Sequence, residues 1–173
     1  MTKKTLIPLL LLAAGAGGCT TREANDDRIP RTAVYLPFTT EADWHRYGVG
    51  GALDSRAFIR NVSSPAESVP RDYPYPDYSY TGYGGILLVC DVNSEARAYD
   101  MSCPVERQPD VRVAVNRQTN LARCAKCGST YDIFGIQGGY GAPVDGPAAI
   151  DAYWLRTYRV IYGVDGRYAL ISF

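Results

Sequence analysis

Histidine is almost missing from this chain: His45 stands alone among 173 residues. Any metal centre that needs two imidazoles from one copy of the chain is therefore excluded. A Ser-His-acid arrangement would have to use His45, in Asp43-Trp44-His45-Arg46. No Gly-x-Ser-x-Gly elbow is present to expose a serine, and a lone histidine beside a tryptophan reads as a surface or packing residue. Lysine is nearly as scarce, with only Lys126 beyond Lys3 and Lys4. An excess of either charge is also lacking. Lys+Arg and Asp+Glu both number 18, and removing Lys3 and Lys4 leaves 16 against 18, or about −2. Such a balance offers no electrostatic footprint for nucleic acid, so no nucleic-acid partner is expected. No stretch shows sustained helical periodicity, and the longest apolar run, Leu6 to Ala16, is too short to span a bilayer. The glycine clusters at 48–51, 82–85 and 138–141 lack the strand–turn–helix context of a phosphate site and read as turns. With 46% hydrophobic and 21% charged residues, what remains is one ordinary globular domain.

The N-terminus reads as an address. Lys3-Lys4, the apolar run and a small-residue stretch precede Cys19, in the order of an export signal. Ala16-Gly17-Gly18-Cys19 resembles a bacterial lipobox with alanine in place of the usual leucine. Residues 1–18 are expected to be a signal peptide, Cys19 the acylated lipid anchor, and 19–29 a polar, flexible tether. The expected location is the cell envelope, on a bacterial membrane and most simply the outer one.

From about residue 30 strand signals dominate, and an all-β domain over 30–173 is expected. Strands are read at Ala33–Phe38, Ala57–Val62, Ile86–Val92, Ala96–Met101, Val111–Val115, Leu155–Tyr162 and Arg167–Phe173. Pro37 demotes the first to an edge strand. Thr40-Glu41-Ala42-Asp43 resembles a capping box, predicting one short helix over Glu41–Tyr47. Asp165-Gly166 marks a hairpin turn. Residues 65–83 hold four prolines and five tyrosines. They read as a surface insertion whose prolines prevent ladder pairing and whose rings either pack it down or bind a sugar or partner.

Four further cysteines follow. Cys90 alternates with Ile86, Leu88 and Val92 and is expected in the core, opposite Arg97 or Ala98 in a hairpin. The other three form paired boxes: Cys103-Pro104-Val105-Glu106 and Cys124-Ala125-Lys126-Cys127-Gly128-Ser129. Ala98 to Pro104, Cys127 to Asp132, Gly146-Pro147-Ala148 and the closing segment Arg167–Phe173 together resemble, in order and spacing, a Rieske iron–sulphur domain. The resemblance implies small antiparallel sheets with two ligand loops, a [2Fe–2S] cofactor, one-electron transfer and a redox partner protein. It also implies that the hydroxyls of Ser129 and Tyr131 tune the centre. The chain departs from the family at both ligand histidines, which are Val105 and Cys127 here, and Gln108 and Lys126 stand where some members carry a disulfide.

Three outcomes stay open. Cys103, Cys124 and Cys127 hold an atypical cluster, with a fourth ligand from Glu106, His45 or solvent; or they hold zinc; or Cys103 pairs with Cys124 or Cys127 as a disulfide and no metal is bound. A thioredoxin-like use of Cys124 and Cys127 is disfavoured, because strand-like residues follow where a helix is needed. The expected function is a Rieske-like electron carrier with no catalysis of its own. The alternative is a metal-free structural or binding lipoprotein that uses the tyrosine-rich insertion.

Overall fold

The computed structural model describes residues 26–60, 70–137 and 139–173. The expectations for the signal peptide, Cys19, most of the tether, Val62 and the start of the insertion fall outside those residues. No helix among the described residues is long and apolar enough to cross a membrane.

The domain is all-β; the described residues form eleven strands and two short helices. Strands β1 (Val34–Phe38), β2 (Ser55–Phe58), β3 (Tyr80–Thr81), β4 (Ile86–Cys90), β5 (Ala96–Asp100), β10 (Thr157–Tyr162) and β11 (Ala169–Ser172) form one antiparallel sheet. Its order is β2-β4-β5-β10-β11-β1-β3, and it curls into a nearly closed barrel. A second sheet is the meander β6 (Val113–Asn116), β7 (Leu121–Cys124), β8 (Thr130–Asp132) and β9 (Ala142–Asp145).

Strand β4 explains why there are two cores. All five of its residues are buried. Ile86, Leu88 and Cys90 face one cluster with Leu36, Phe38, Trp44 and Ile171, whereas Leu87 and Val89 face another with Tyr99, Cys103, Cys124, Tyr131 and Phe134. Alternating side chains of one strand thus join the barrel interior to the layer under the cysteine boxes. Cys90 is a core residue as expected, although it pairs with Ala96; the turn is tighter than the expected partners Arg97 or Ala98 require.

Helix α1 (Glu41–Tyr47) carries the expected capping box, with Thr40 Oγ1 accepting from Asp43 N–H at 3.1 Å and Asp43 Oδ2 accepting from Thr40 N–H at 2.9 Å. Asp165 and Gly166 both have positive φ, at 52° and 70°, as a tight hairpin turn requires. Helix α2 (Pro147–Asp151) was not expected; at five residues it is too short to show a period.

Two readings are corrected. Strand β1 is interior to the sheet order rather than an edge. Strand β3 covers only Val34 and Tyr35, so Pro37 lies beyond that ladder and its missing N–H costs nothing. The insertion does join a ladder, because Tyr80 and Thr81 follow its last proline and pair with β1. Its Tyr73 is buried among Phe38, Tyr47 and Phe58 and donates its hydroxyl to the Pro37 carbonyl. Tyr78 and Tyr80 remain about half exposed, at 53% and 51%.

Candidate metal centre

Each box is a loop closed by its own backbone. In the first, Cys103 N–H donates to Val111 carbonyl at 2.9 Å and Arg107 N–H to Cys103 carbonyl at 2.9 Å. Ser102 bridges Arg112 just below. The buried Asp100 carboxylate fixes the approach, accepting from the N–H groups of Tyr83, Gly84 and Ser102 and from the Tyr158 hydroxyl at 2.5 Å. In the second box, Cys124 ends β7, Gly128 N–H returns to Cys124 carbonyl at 3.0 Å, and Cys124 N–H donates to Ser129 carbonyl at 2.9 Å. Gly128 takes φ +79°, the left-handed conformation that turns Cys127 back toward Cys124. Pairing of Val113 with Cys124 joins the two boxes. An ion pair of Lys126 with Glu106, at 2.7 Å, closes them from outside.

Cys103, Cys124 and Cys127 therefore meet, with their sulphurs within 4.8 Å of one another. Cys103 Sγ is 3.6 Å from Cys127 Sγ, close to the spacing of about 3.8 Å that tetrahedral bonding at about 2.3 Å sets between two sulphurs on one metal. All three are free thiols here, as is Cys90. Cys103 and Cys124 are buried and Cys127 is half-buried, so the group opens to solvent on the Cys127 side. The hydroxyls of Ser129 and Tyr131 both reach it. Cys127 Sγ lies 3.2 Å from Ser129 Oγ, and Cys103 Sγ lies 3.7 Å from Tyr131 Oη. Ser129 Oγ also accepts from Ala148 N–H at 3.1 Å, which lays the 146–148 segment over the second box. Gly146 is required there: a Cβ would come within 2.8 Å of Ser129 Cα.

The thiols differ in acidity. Burial pushes Cys103 up to about 12, against weaker opposing hydrogen bonds from Glu106 N–H, the Tyr131 hydroxyl and Val105 N–H. Burial also acts on Cys127, but hydrogen bonds from Ser129, hydroxyl and backbone, and from the neighbouring cysteines leave it below its ordinary value. Burial and the adjacent cysteines raise Tyr131, so its hydroxyl stays protonated and can donate to sulphur. Of Cys103 and Cys127, Cys127 is the more acidic.

Neither suggested fourth ligand joins the three sulphurs. His45 lies on α1, its side chain 73% exposed and 3.6 Å from Glu41. Glu106 is turned to Lys126. No helix starts at the second box; β7 leads through the turn into β8. Sequence reasoning missed Asp100 and Asp132. Asp132 accepts from the N–H groups of Phe134, Gly135, Ile136, Gln137 and Gly139, at 2.6–3.4 Å, and so fixes the loop after Tyr131. The available signal was an acidic residue inside a strand-like run, which burial makes costly unless it is bonded.

No protein-family model, curated protein or solved structure matches the chain. The chemistry of the site rests on its own donor set: three soft sulphur ligands, fitted to zinc or iron rather than to calcium or magnesium.

Proposed function

We propose that this chain is a metal–thiolate lipoprotein of the bacterial envelope, anchored through Cys19, whose Cys103, Cys124 and Cys127 bind a soft metal. The observation that carries the reading is the convergence of those sulphurs within 4.8 Å, joined by two hydroxyls. One metal atom suits this spacing best. A two-iron cluster spreads its ligands over two atoms, so sulphurs on opposite irons stand farther apart than sulphurs on one. A bound metal would supply Lewis acidity if zinc and reversible one-electron chemistry if iron. The chain's own contribution is to hold three thiolates in a mostly buried layer and to offset their charge. Toward deprotonated sulphur, Tyr131 would donate to Cys103 and Ser129 to Cys127, and Lys126 lies within the second box. The half-buried Cys127 leaves room for a fourth donor from solvent.

A second reading, an iron–sulphur-type one-electron carrier built on a Rieske-like plan, is favoured by the two hydroxyls at sulphur. Such bonds tune a redox centre by drawing charge from its ligands. It requires a redox partner protein that gives and takes one electron. The metal-free reading through the insertion loses support, because Tyr73 is spent on packing and only Tyr78 and Tyr80 stay half exposed.

Cobalt(II) titration of the reduced, metal-stripped domain tests the primary reading. One equivalent should give intense thiolate-to-metal absorption together with tetrahedral d–d bands, weakened in each of Cys103→Ala, Cys124→Ala and Cys127→Ala and unchanged in Cys90→Ala. Absorption that survives all three box variants would refute it.

A further inference from the structure

The first described residues do not leave the domain at random: they cross the first cysteine box. Arg28 Nε donates to the Pro104 carbonyl at 3.2 Å, one residue from Cys103, and Arg107 Nε donates back to the Arg28 carbonyl at 3.2 Å. The Arg28 guanidinium lies 4.1 Å over the Tyr153 ring. Buried Ile29 follows, its carbonyl accepting from buried Arg156 at 3.0 Å, and Arg156 also pairs with Asp27 at 3.2 Å. This strap fixes where the chain emerges.

The length of chain beyond it is short. Six residues separate Cys19 from Asp26, and the seven Cα-to-Cα steps between them, fully extended, span at most about 25 Å. A domain of this size is about 40 Å across. An anchor at Cys19 therefore cannot reach a bilayer lying against the pole opposite the strap. The faces it can present are those around the first box. On that side Arg28, Arg107 and Lys126 supply positive charge; Arg107 and Lys126 are exposed, Glu106 pairs with Lys126, and the exposed Asp110 also acts on it. Ile150 on α2, two residues past the Ala148 that covers Ser129, is 67% exposed. Cations with an apolar residue and the Tyr153 ring match a surface of anionic headgroups with a shallow apolar margin.

The geometry points to a membrane-docking face: the cysteine-box side of the domain rests on the anionic lipid surface that holds its own anchor, so the metal site opens toward the bilayer rather than away from it. This rests on the lipid anchor of the proposed function. A carrier in this pose exchanges with partners at the membrane surface.

Lys126 makes the test direct, since it is the one lysine of the chain beyond Lys4. An Ala42→Lys substitution on exposed α1 adds a reporter within the same molecule. The full chain, matured in a bacterial host, is placed in vesicles of phosphatidylethanolamine and phosphatidylglycerol. It is then treated with a water-soluble amine-acylating reagent, and each lysine peptide is quantified by mass spectrometry. Relative to detergent, Lys126 should react about 5- to 30-fold more slowly, the effect of one to two cations held at the surface, with the reporter unchanged. Molar salt, phosphatidylcholine vesicles or Arg107→Glu should abolish the protection, with metal content intact in the variant. Equal rates for Lys126 in vesicles and detergent, on chain whose mass shows acylated Cys19, would overturn the docking face alone. An unacylated Cys19 would overturn the anchor, and the docking face with it.

Discussion

At the residue scale the site is asymmetric, and the asymmetry is chemical. Cys127 has the Ser129 hydroxyl at 3.2 Å and partial access to water, while Cys103 is fully buried and pushed up to about 12. In metal-stripped protein at pH 7 to 8, Cys127 should be alkylated well ahead of Cys103, with a midpoint below the ordinary thiol value of 9.0. Time-resolved mass spectrometry with iodoacetamide reads this directly; a Ser129→Ala variant should raise the Cys127 midpoint, while Cys127 still leads because Cys103 stays buried. Tyr131→Phe removes the hydroxyl at 3.7 Å from Cys103 and adds no volume. It should leave metal stoichiometry intact, cost about 1 kcal/mol of stability in chemical denaturation, and lower the reduction potential if the metal is iron. The cysteines were legible in the sequence because their spacing is local. Which sulphur carries the charge was not, because that depends on burial and on contacts across the two boxes.

Elements hold the site through buried carboxylates. Asp132 ends β8 and gathers five N–H donors of one loop. Asp132→Ala should cost roughly 2–4 kcal/mol in chemical denaturation, since it leaves several buried donors unpaired. Asp91 plays the same part at the β4–β5 turn, buried and 2.7 Å from Arg97. Burial alone would raise it, but bonds from Glu95 N–H, Arg97 and Asn93 N–H outweigh that and lower it. A folded-state value below the unfolded one means the contribution is present above about pH 4 and is lost as pH falls through the folded value. Asp91→Asn should therefore flatten the acid limb of stability against pH while destabilising the protein at pH 7; an unchanged acid limb would contradict this account. Strands with alternating patterns, the α1 capping box and the Asp165-Gly166 turn were readable, since each is specified within a few residues. The place of β1 inside the sheet was not, because its second neighbour is the end of the proline-rich insertion itself. Strand β7 and helix α2 gave no usable period.

For the whole molecule, the double-sided burial of β4 couples the barrel to the layer that carries the boxes. Cys103, Cys124 and Tyr131 belong to that second core, so a metal bound by the folded boxes alone must stabilise the domain as a unit. At metal concentrations 100 times the dissociation constant the gain is about 2.7 kcal/mol. Thermal unfolding should shift up by several degrees with the bound metal and back with a chelator, and Cys127→Ala should show no shift. The Rieske-like order of boxes and closing strand was the widest reading available from the sequence. The structure supports its coarse parts, an all-β domain and three convergent cysteines.

The most direct test of the central claim is the iron, zinc and acid-labile sulphide content of the mature domain, expressed without Cys19 and purified without oxygen. Close to one zinc or iron per chain without sulphide, lost in Cys124→Ala, is the predicted result, and two irons with two sulphides per chain would select the cluster reading. Chain free of both metals, with thiols that titrate only after reduction, would contradict the metal centre.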